Sequence, residues 1–220
     1  MANCADDCYP DGLVADQAMK YFERVSQLND DQPWFIGLGL KRPHLGFFAP
    51  TKYFNMYNPN DIKIAEHREP INSPPWASDN NAEMGSMQDV NGNHTFIYKY
   101  EWNNTVYNVT EISDDYHAIL RRGYYASVTF MDSQFGKIMQ GLYQYNLWNN
   151  TIIVFTGDHG WQLGEQGNWC KKTNYELSAR VPLIIRIPDG TSDKAINEGG
   201  YTNYNVEQLD MFPTIIDASQ

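Results

Sequence analysis

Thr151-Ile-Ile-Val-Phe-Thr156 runs without a break into Gly157-Asp158-His159-Gly160-Trp161. The first six residues are apolar and β-branched, the composition of a short strand central to a sheet. The five that follow form a glycine-flanked turn carrying a carboxylate and an imidazole. Ligands of open α/β sheets bind just past the carboxyl ends of the strands, so this one junction predicts both a fold class and a site. Reading outward, Val181 to Ile187 is a second apolar run of strand length. Trp34 to Leu40 predicts a further buried strand, which delivers His44 after Lys41-Arg42-Pro43. Helical spacing fills the intervals. Ala15, Ala18, Met19, Phe22, Val25 and Leu28 predict one helix, ended by the polar run Asn29 to Gln32. Ile119, Leu120, Tyr124, Val128, Met131, Phe135, Ile138, Met139 and Leu142 predict a long one from Tyr116 to about Leu147, with Gly123 and Gly136 as weak points. A last helix is expected from Val206 to Ala218, with Leu209, Phe212, Ile215 and Ile216 on its inner side. Helices alternating with apolar-run strands make the α/β class, a layered sheet with helices on both faces. From Asn58 to Asp115 the pattern gives way to Pro, Asn, Ser and Asp. That stretch is expected to be an irregular surface excursion, with short ordered pieces around Thr95 to Tyr100.

Length and composition narrow the function classes. At 220 residues one domain is expected. An apolar share of 42% with 20% charged residues supports a packed core over a disordered chain. No apolar run approaches the roughly 18 residues of a membrane span. Sixteen Lys and Arg against 27 Asp and Glu leave a formal charge of -11. That balance argues against a nucleic-acid partner, because phosphates need cationic surface. The first residues hold no cationic run and no apolar segment, so no signal peptide is legible and a natural beginning upstream is expected. Four Asn-x-Ser/Thr sequons, at Asn93, Asn103, Asn108 and Asn149, fit the secretory pathway; chance in so Asn-rich a chain accounts for about two. Three cysteines, Cys4, Cys8 and Cys170, are too few for a disulfide scaffold.

Four residues carry candidate chemistry. Asp158 offers a hard oxygen and His159 a neutral nitrogen, a pair able to share a divalent cation. The plainer alternative has Asp158 capping the next turn and His159 packing structurally. Lys171 follows Gly-Asn-Trp-Cys and stands beside Lys172. Paired lysines in an acidic background suit an anion pocket for sulfate or phosphate, or else a solvated surface pair. His44 suits a proton donor near neutral pH, or an ordinary loop histidine.

The stretch from Thr156-Gly-Asp-His-Gly-Trp-Gln-Leu-Gly-Glu-Gln-Gly-Asn-Trp-Cys-Lys-Lys-Thr-Asn-Tyr-Glu176 to Arg180-Val-Pro-Leu-Ile184 resembles the type I sulfatases, and within them the iduronate-2-sulfatase branch. Three further stretches agree in the same order. Asp11-Gly-Leu-Val-Ala-Asp16 resembles the segment before the family's helix. Lys41-Arg-Pro-His44 with Ala49-Pro-Thr-Lys-Tyr-Phe54 resembles its histidine loop. Arg122-Gly-Tyr-Tyr-Ala-Ser-Val-Thr-Phe-Met-Asp132 resembles its long helix. The resemblance implies an alkaline-phosphatase-like α/β fold and removal of sulfate from a sulfated sugar at a calcium site. It implies Asp158 and His159 as two calcium ligands, and Lys171 as the lysine that grips the sulfate and its bridging oxygen. It implies His44 as the histidine that contacts the sulfate and protonates the leaving alcohol. Together with the sequons it points to a lysosomal or extracellular location.

The departures are as informative. The family's nucleophile is a formylglycine made from Cys in Cys-x-Pro/Ala-x-Arg, and no such motif is present. Cys8-Tyr-Pro-Asp-Gly12 comes nearest, with Gly12 in place of Arg. The family's upstream Asp pair is missing, and Gln166 stands where many relatives carry His. Residues 1–220 therefore read as the central part of a sulfatase catalytic domain, with the nucleophile segment expected upstream and a small subdomain downstream. Two other readings stay open: a phosphodiesterase or phosphonate hydrolase of the same superfamily, and a non-catalytic binder of sulfated glycans that keeps Lys171 and His44.

Overall fold

The computed structural model describes residues 4–29, 32–68, 72, 83, 100–102, 105–107, 113–188 and 199–219. Tyr9 is extended and Pro10 takes the first helical position, where its fixed φ suits a helix start. Helix α1 (Pro10–Val25) therefore begins more than a turn before the first apolar repeat at Ala15. Ala15, Ala18 and Phe22 form its buried face. A 3-10 turn, Asp6–Cys8, presses on its start: a Cβ on Gly12 would stand 2.0 Å from the Asp6 carbonyl oxygen, so only glycine fits.

Residues 34–40 form no strand among the described residues, which corrects the expected buried strand. Trp34, Ile36 and Leu40 pack toward α1 while Phe35 is 84% exposed, the alternation of a strand with one wet face. Helix α2 (Thr51–Phe54) buries Tyr53 and Phe54. Of the expected excursion, the described pieces include a 3-10 turn at Pro59–Asp61 and a hairpin of β1 (Tyr100–Trp102) and β2 (Thr105–Tyr107). Thr95 to Lys99 and the sequons at Asn93, Asn103 and Asn108 lie outside the described residues; Asn149 is exposed.

The Ser113 hydroxyl caps α3 (Asp114–Gln144) by accepting the Tyr116 N–H at 3.3 Å, and Asp114 and Asp115 complement its positive end. The helix runs through both glycines expected to weaken it. A Cβ on Gly123 would press Phe47 at 3.2 Å, so there the glycine is a contact point. Beyond α3, β3 (Ile153–Thr156) leads into the Gly157–Trp161 turn and then β4 (Gln162–Leu163), β5 (Trp169–Cys170), α4 (Glu176–Ala179) and β6 (Leu183–Arg186). β3 and β6 are antiparallel, Ile153 opposite Arg186 and Thr156 opposite Leu183. β4 and β5 form a short hairpin, Gln162 opposite Cys170. The β3 residues are half-buried and Ile184 is exposed, so this ladder has an open side among the described residues.

A 3-10 turn at Gln208–Asp210 leads into α5 (Met211–Ala218). Its apolar face was expected to point inward, yet Leu209, Phe212 and Ile216 are exposed. Periodicity identifies an apolar face; what covers it is a separate matter. The described core has one cluster between α1 and α3 (Ala15, Phe22, Ile138, Leu142) and another between α2 and α3 (Tyr53, Phe54, Phe130). A third, of Phe47, Leu120, Leu163 and Trp169, packs α3 against the β4–β5 hairpin.

Candidate active site

His44 sits in a turn that is fixed from a distant part of the chain. The Asp11 carboxylate, 1% exposed on α1, accepts the backbone N–H of Lys41 at 2.9 Å and of Arg42 at 2.8 Å. Arg42 Nη1 donates to the His44 carbonyl at 2.7 Å. Burial pushes the Arg42 guanidinium below its ordinary pKa, against the opposing charge of Asp11. His44 Nδ1 lies 3.0 Å from the Leu45 carbonyl oxygen, which can only accept. The ring proton is thereby assigned to Nδ1, and Nε2 of the neutral ring keeps its lone pair. Lys171 Nζ stands 3.4 Å from that Nε2.

Lys171 and Lys172 have different surroundings. The Lys171 side chain is 18% exposed and lies 3.4 Å from Glu83 Oε1, whereas Lys172 is exposed. The Lys171 ammonium also lies 5.4 Å from the centroid of the Trp161 ring, within cation–π reach. Trp161 is the hub of the group: its ring is 6.1 Å from both His44 and His159, and Tyr124 and Phe47 pack against it. Its indole Nε1 is buried with no acceptor in hydrogen-bond reach among the described residues.

Asp158 and His159 follow β3 directly. His159 Nδ1 is 2.9 Å from the Gly160 carbonyl oxygen, so its proton too is assigned to Nδ1. Its Nε2 lies 3.4 Å from Asp158 Oδ2. An exposed carboxylate beside an imidazole nitrogen is a donor set for a divalent metal. Among the described residues no group of three or more Asp, Glu, His or Cys side chains gathers as a metal site. Calcium takes about six to eight oxygens, so these two residues fit as part of a calcium site and not as the whole of one.

A buried network ties this turn to the Lys171 segment. The Gln162 Oε1, fully buried, accepts from Thr173 Oγ1 at 2.8 Å and Ser178 Oγ at 2.9 Å. Gly160 N–H donates to the Ser178 carbonyl at 2.8 Å, and a Cβ on Gly160 would lie 2.1 Å from the Leu177 carbonyl oxygen. Only glycine permits that approach. The structure thus brings Lys171, His44 and His159 around one indole ring, with Asp158 beside His159. Sequence reading gave no role to Asp11, Glu83, Trp161 or Gln162. Asp11 and Trp161 stood inside quoted motifs and could have been singled out there; Glu83 stands in the irregular stretch and gave no signal.

Comparison with known proteins supplies an independent reading. The family model described as Sulfatase matches residues 2–220. The chain is 28% identical to iduronate 2-sulfatase of Mus musculus over 236 residues, covering 98% of this chain and 40% of that one. It is 32% identical to iduronate 2-sulfatase of Homo sapiens over 185 residues, covering 83% of this chain and 31% of that one. The chain therefore spans well under half the length of these relatives. A phosphonate monoester hydrolase from Silicibacter pomeroyi shares the fold, with a TM-score of 0.61 at 23% identity over 84% of this chain and 34% of that one.

Proposed function

Since this chain belongs to the sulfatase family, with its alkaline-phosphatase-like α/β fold, we propose that it is the central part of a sulfuric ester hydrolase acting on a sulfated sugar, as iduronate 2-sulfatase would. The observation that carries the proposal is the approach of Lys171 Nζ to His44 Nε2 at 3.4 Å on the Trp161 ring, beside Asp158 and His159. A semi-buried ammonium next to a lone-pair nitrogen is an arrangement for an anionic ester. Lys171 would hold the sulfate and neutralise charge building on its bridging oxygen. His44 Nε2, once it takes up a proton, would pass it to the leaving alcohol. Asp158 and His159 would hold part of a calcium ion, whose charge helps to bind the sulfate when present. Residues 1–220 would make one portion of the catalytic domain, with residues 58–115 as a surface excursion, in a protein of the secretory pathway, lysosomal or extracellular.

The chain carries no formylglycine motif, and covalent sulfuryl transfer needs an activated nucleophile. On this reading the chain alone binds a sulfate ester without turning it over. Calorimetry with an aryl sulfate, the matching phosphonate monoester and the free phenol tests it. The expected result is binding of the sulfate ester that Lys171→Ala weakens. A preference for the phosphonate would favour the phosphonate hydrolase reading. Equal binding of the free phenol would remove the anion pocket altogether.

A further inference from the structure

We propose that the Glu83 carboxylate is an internal competitor for the anion pocket, held on Lys171 until a sulfate ester displaces it. This rests on the sulfate-binding reading of Lys171 and adds an inhibitory contact to it. Glu83 Oε1 lies 3.4 Å from Lys171 Nζ, and the two side chains are 24% and 18% exposed. The carboxylate comes from the stretch expected to run over the surface. It nevertheless meets the ammonium that stands 3.4 Å from His44 Nε2 and 5.4 Å from the Trp161 ring centroid.

Both the partner and the distance are informative. Lys172, the next residue, is exposed and makes no ion pair among the described residues. Pairing there would strip little water from either charge, yet Glu83 meets the shielded lysine. The contact is also long. The Lys52–Asp6 and Arg68–Asp114 pairs close to 2.7 Å and 2.6 Å, as charge-assisted hydrogen bonds do. At 3.4 Å Glu83 neutralises Lys171 loosely, and an anion with better-placed oxygens can take over the ammonium.

A sulfate seated on Lys171 would bring its oxygens within a few ångströms of this carboxylate. Like charges repel there, and shielding from water strengthens the repulsion. Binding therefore requires Glu83 to give up Lys171, an exchange of an internal anion for an external one. Such a competitor lowers the apparent affinity of every anionic ligand by the fraction of time it leaves the lysine free. After ester cleavage it returns at the effective concentration of a tethered group and helps free sulfate to leave. The His44 turn is unaffected by the exchange, because Asp11 and Arg42 hold it independently.

The test is calorimetric titration of the 220-residue chain with inorganic sulfate, an aryl sulfate and the free phenol. Glu83→Gln keeps the size of the side chain and removes its charge. It should tighten both anions by about tenfold, the factor for a lysine left free about a tenth of the time, and leave the phenol unchanged. Glu83→Ala should give the same gain, and both variants should melt close to the wild type, since a loose pair adds little stability. In a Lys171→Ala background the gain should vanish, because both anions act on one ammonium. Unchanged or weaker sulfate binding in both Glu83 variants, with Lys171→Ala still losing it, would overturn the competitor and leave the sulfate pocket standing. A gain that survives Lys171→Ala would reduce Glu83 to a diffuse charge and overturn the contact. No sulfate binding by any variant would remove the pocket and the competitor together.

Discussion

Lys171 and Lys172 are adjacent in sequence and unlike in surroundings, which makes them each other's control. A lysine on a bridging oxygen meets more negative charge in the transition state than in the bound ester. In a protein that includes the nucleophile segment, Lys171→Ala should lower kcat as well as affinity, by about a hundredfold to a thousandfold. Lys172→Ala, whose side chain is exposed, should leave both near their starting values. Equal small effects from the two would demote Lys171 to a surface charge. Asp11 makes a second residue-scale prediction. Its carboxylate accepts two backbone N–H groups with 1% exposure. Asp11→Asn turns one acceptor into a donor facing an N–H, and should lower unfolding free energy by about 1–3 kcal/mol in a denaturant titration. Binding of the aryl sulfate should weaken with it, because the His44 turn loses its anchor.

Two glycines of α3 have opposite meanings at the scale of the element. Around Gly136 nothing lies within 4 Å of a built Cβ, so Gly136→Ala should stabilise the chain by up to about 1 kcal/mol through helix propensity. A Cβ on Gly141 would meet Met19 Sδ at 2.6 Å and Phe22 Cδ2 at 2.9 Å, so Gly141→Ala should destabilise by about 1–3 kcal/mol by forcing α1 away from α3. Thermal melts of the two variants side by side check both signs. Spacing along the chain revealed α3 and α1 because burial repeats with the helical period, but it could not tell a glycine that weakens from one that admits a neighbour. The same limit explains residues 34–40, whose composition suits a strand although pairing depends on a partner elsewhere. The Asp158-His159 turn was legible because the site chemistry follows directly on a strand. The Asp11 anchor was not, since nothing local links a helix start to N–H groups far along the chain.

For the molecule as a whole, His117 sets a pH dependence. Its ring is 2% exposed, lies 4.9 Å from the Trp169 ring, and donates from Nε2 to the Leu163 carbonyl at 2.7 Å. Burial, outweighing that hydrogen bond, lowers its pKa from the ordinary 6.5. Its neutral form is therefore favoured in the folded state. The stability it contributes is complete above the ordinary value and is lost as pH falls from there toward the lower folded value. Denaturant midpoints should drop between pH 7.5 and 5.5, and His117→Gln, which keeps a donor for Leu163, should flatten the drop. If the wild-type and variant slopes coincide, the histidine is not the sensor. The β3–β6 ribbon bears on how the isolated chain behaves in a tube. Neither strand has a second neighbour among the described residues, and Ile184 and Ile185 stand outward beside those bare edges. Lateral amide groups of this kind are a template for any passing extended segment. Concentration more than temperature will then decide how long a solution of this chain stays clear.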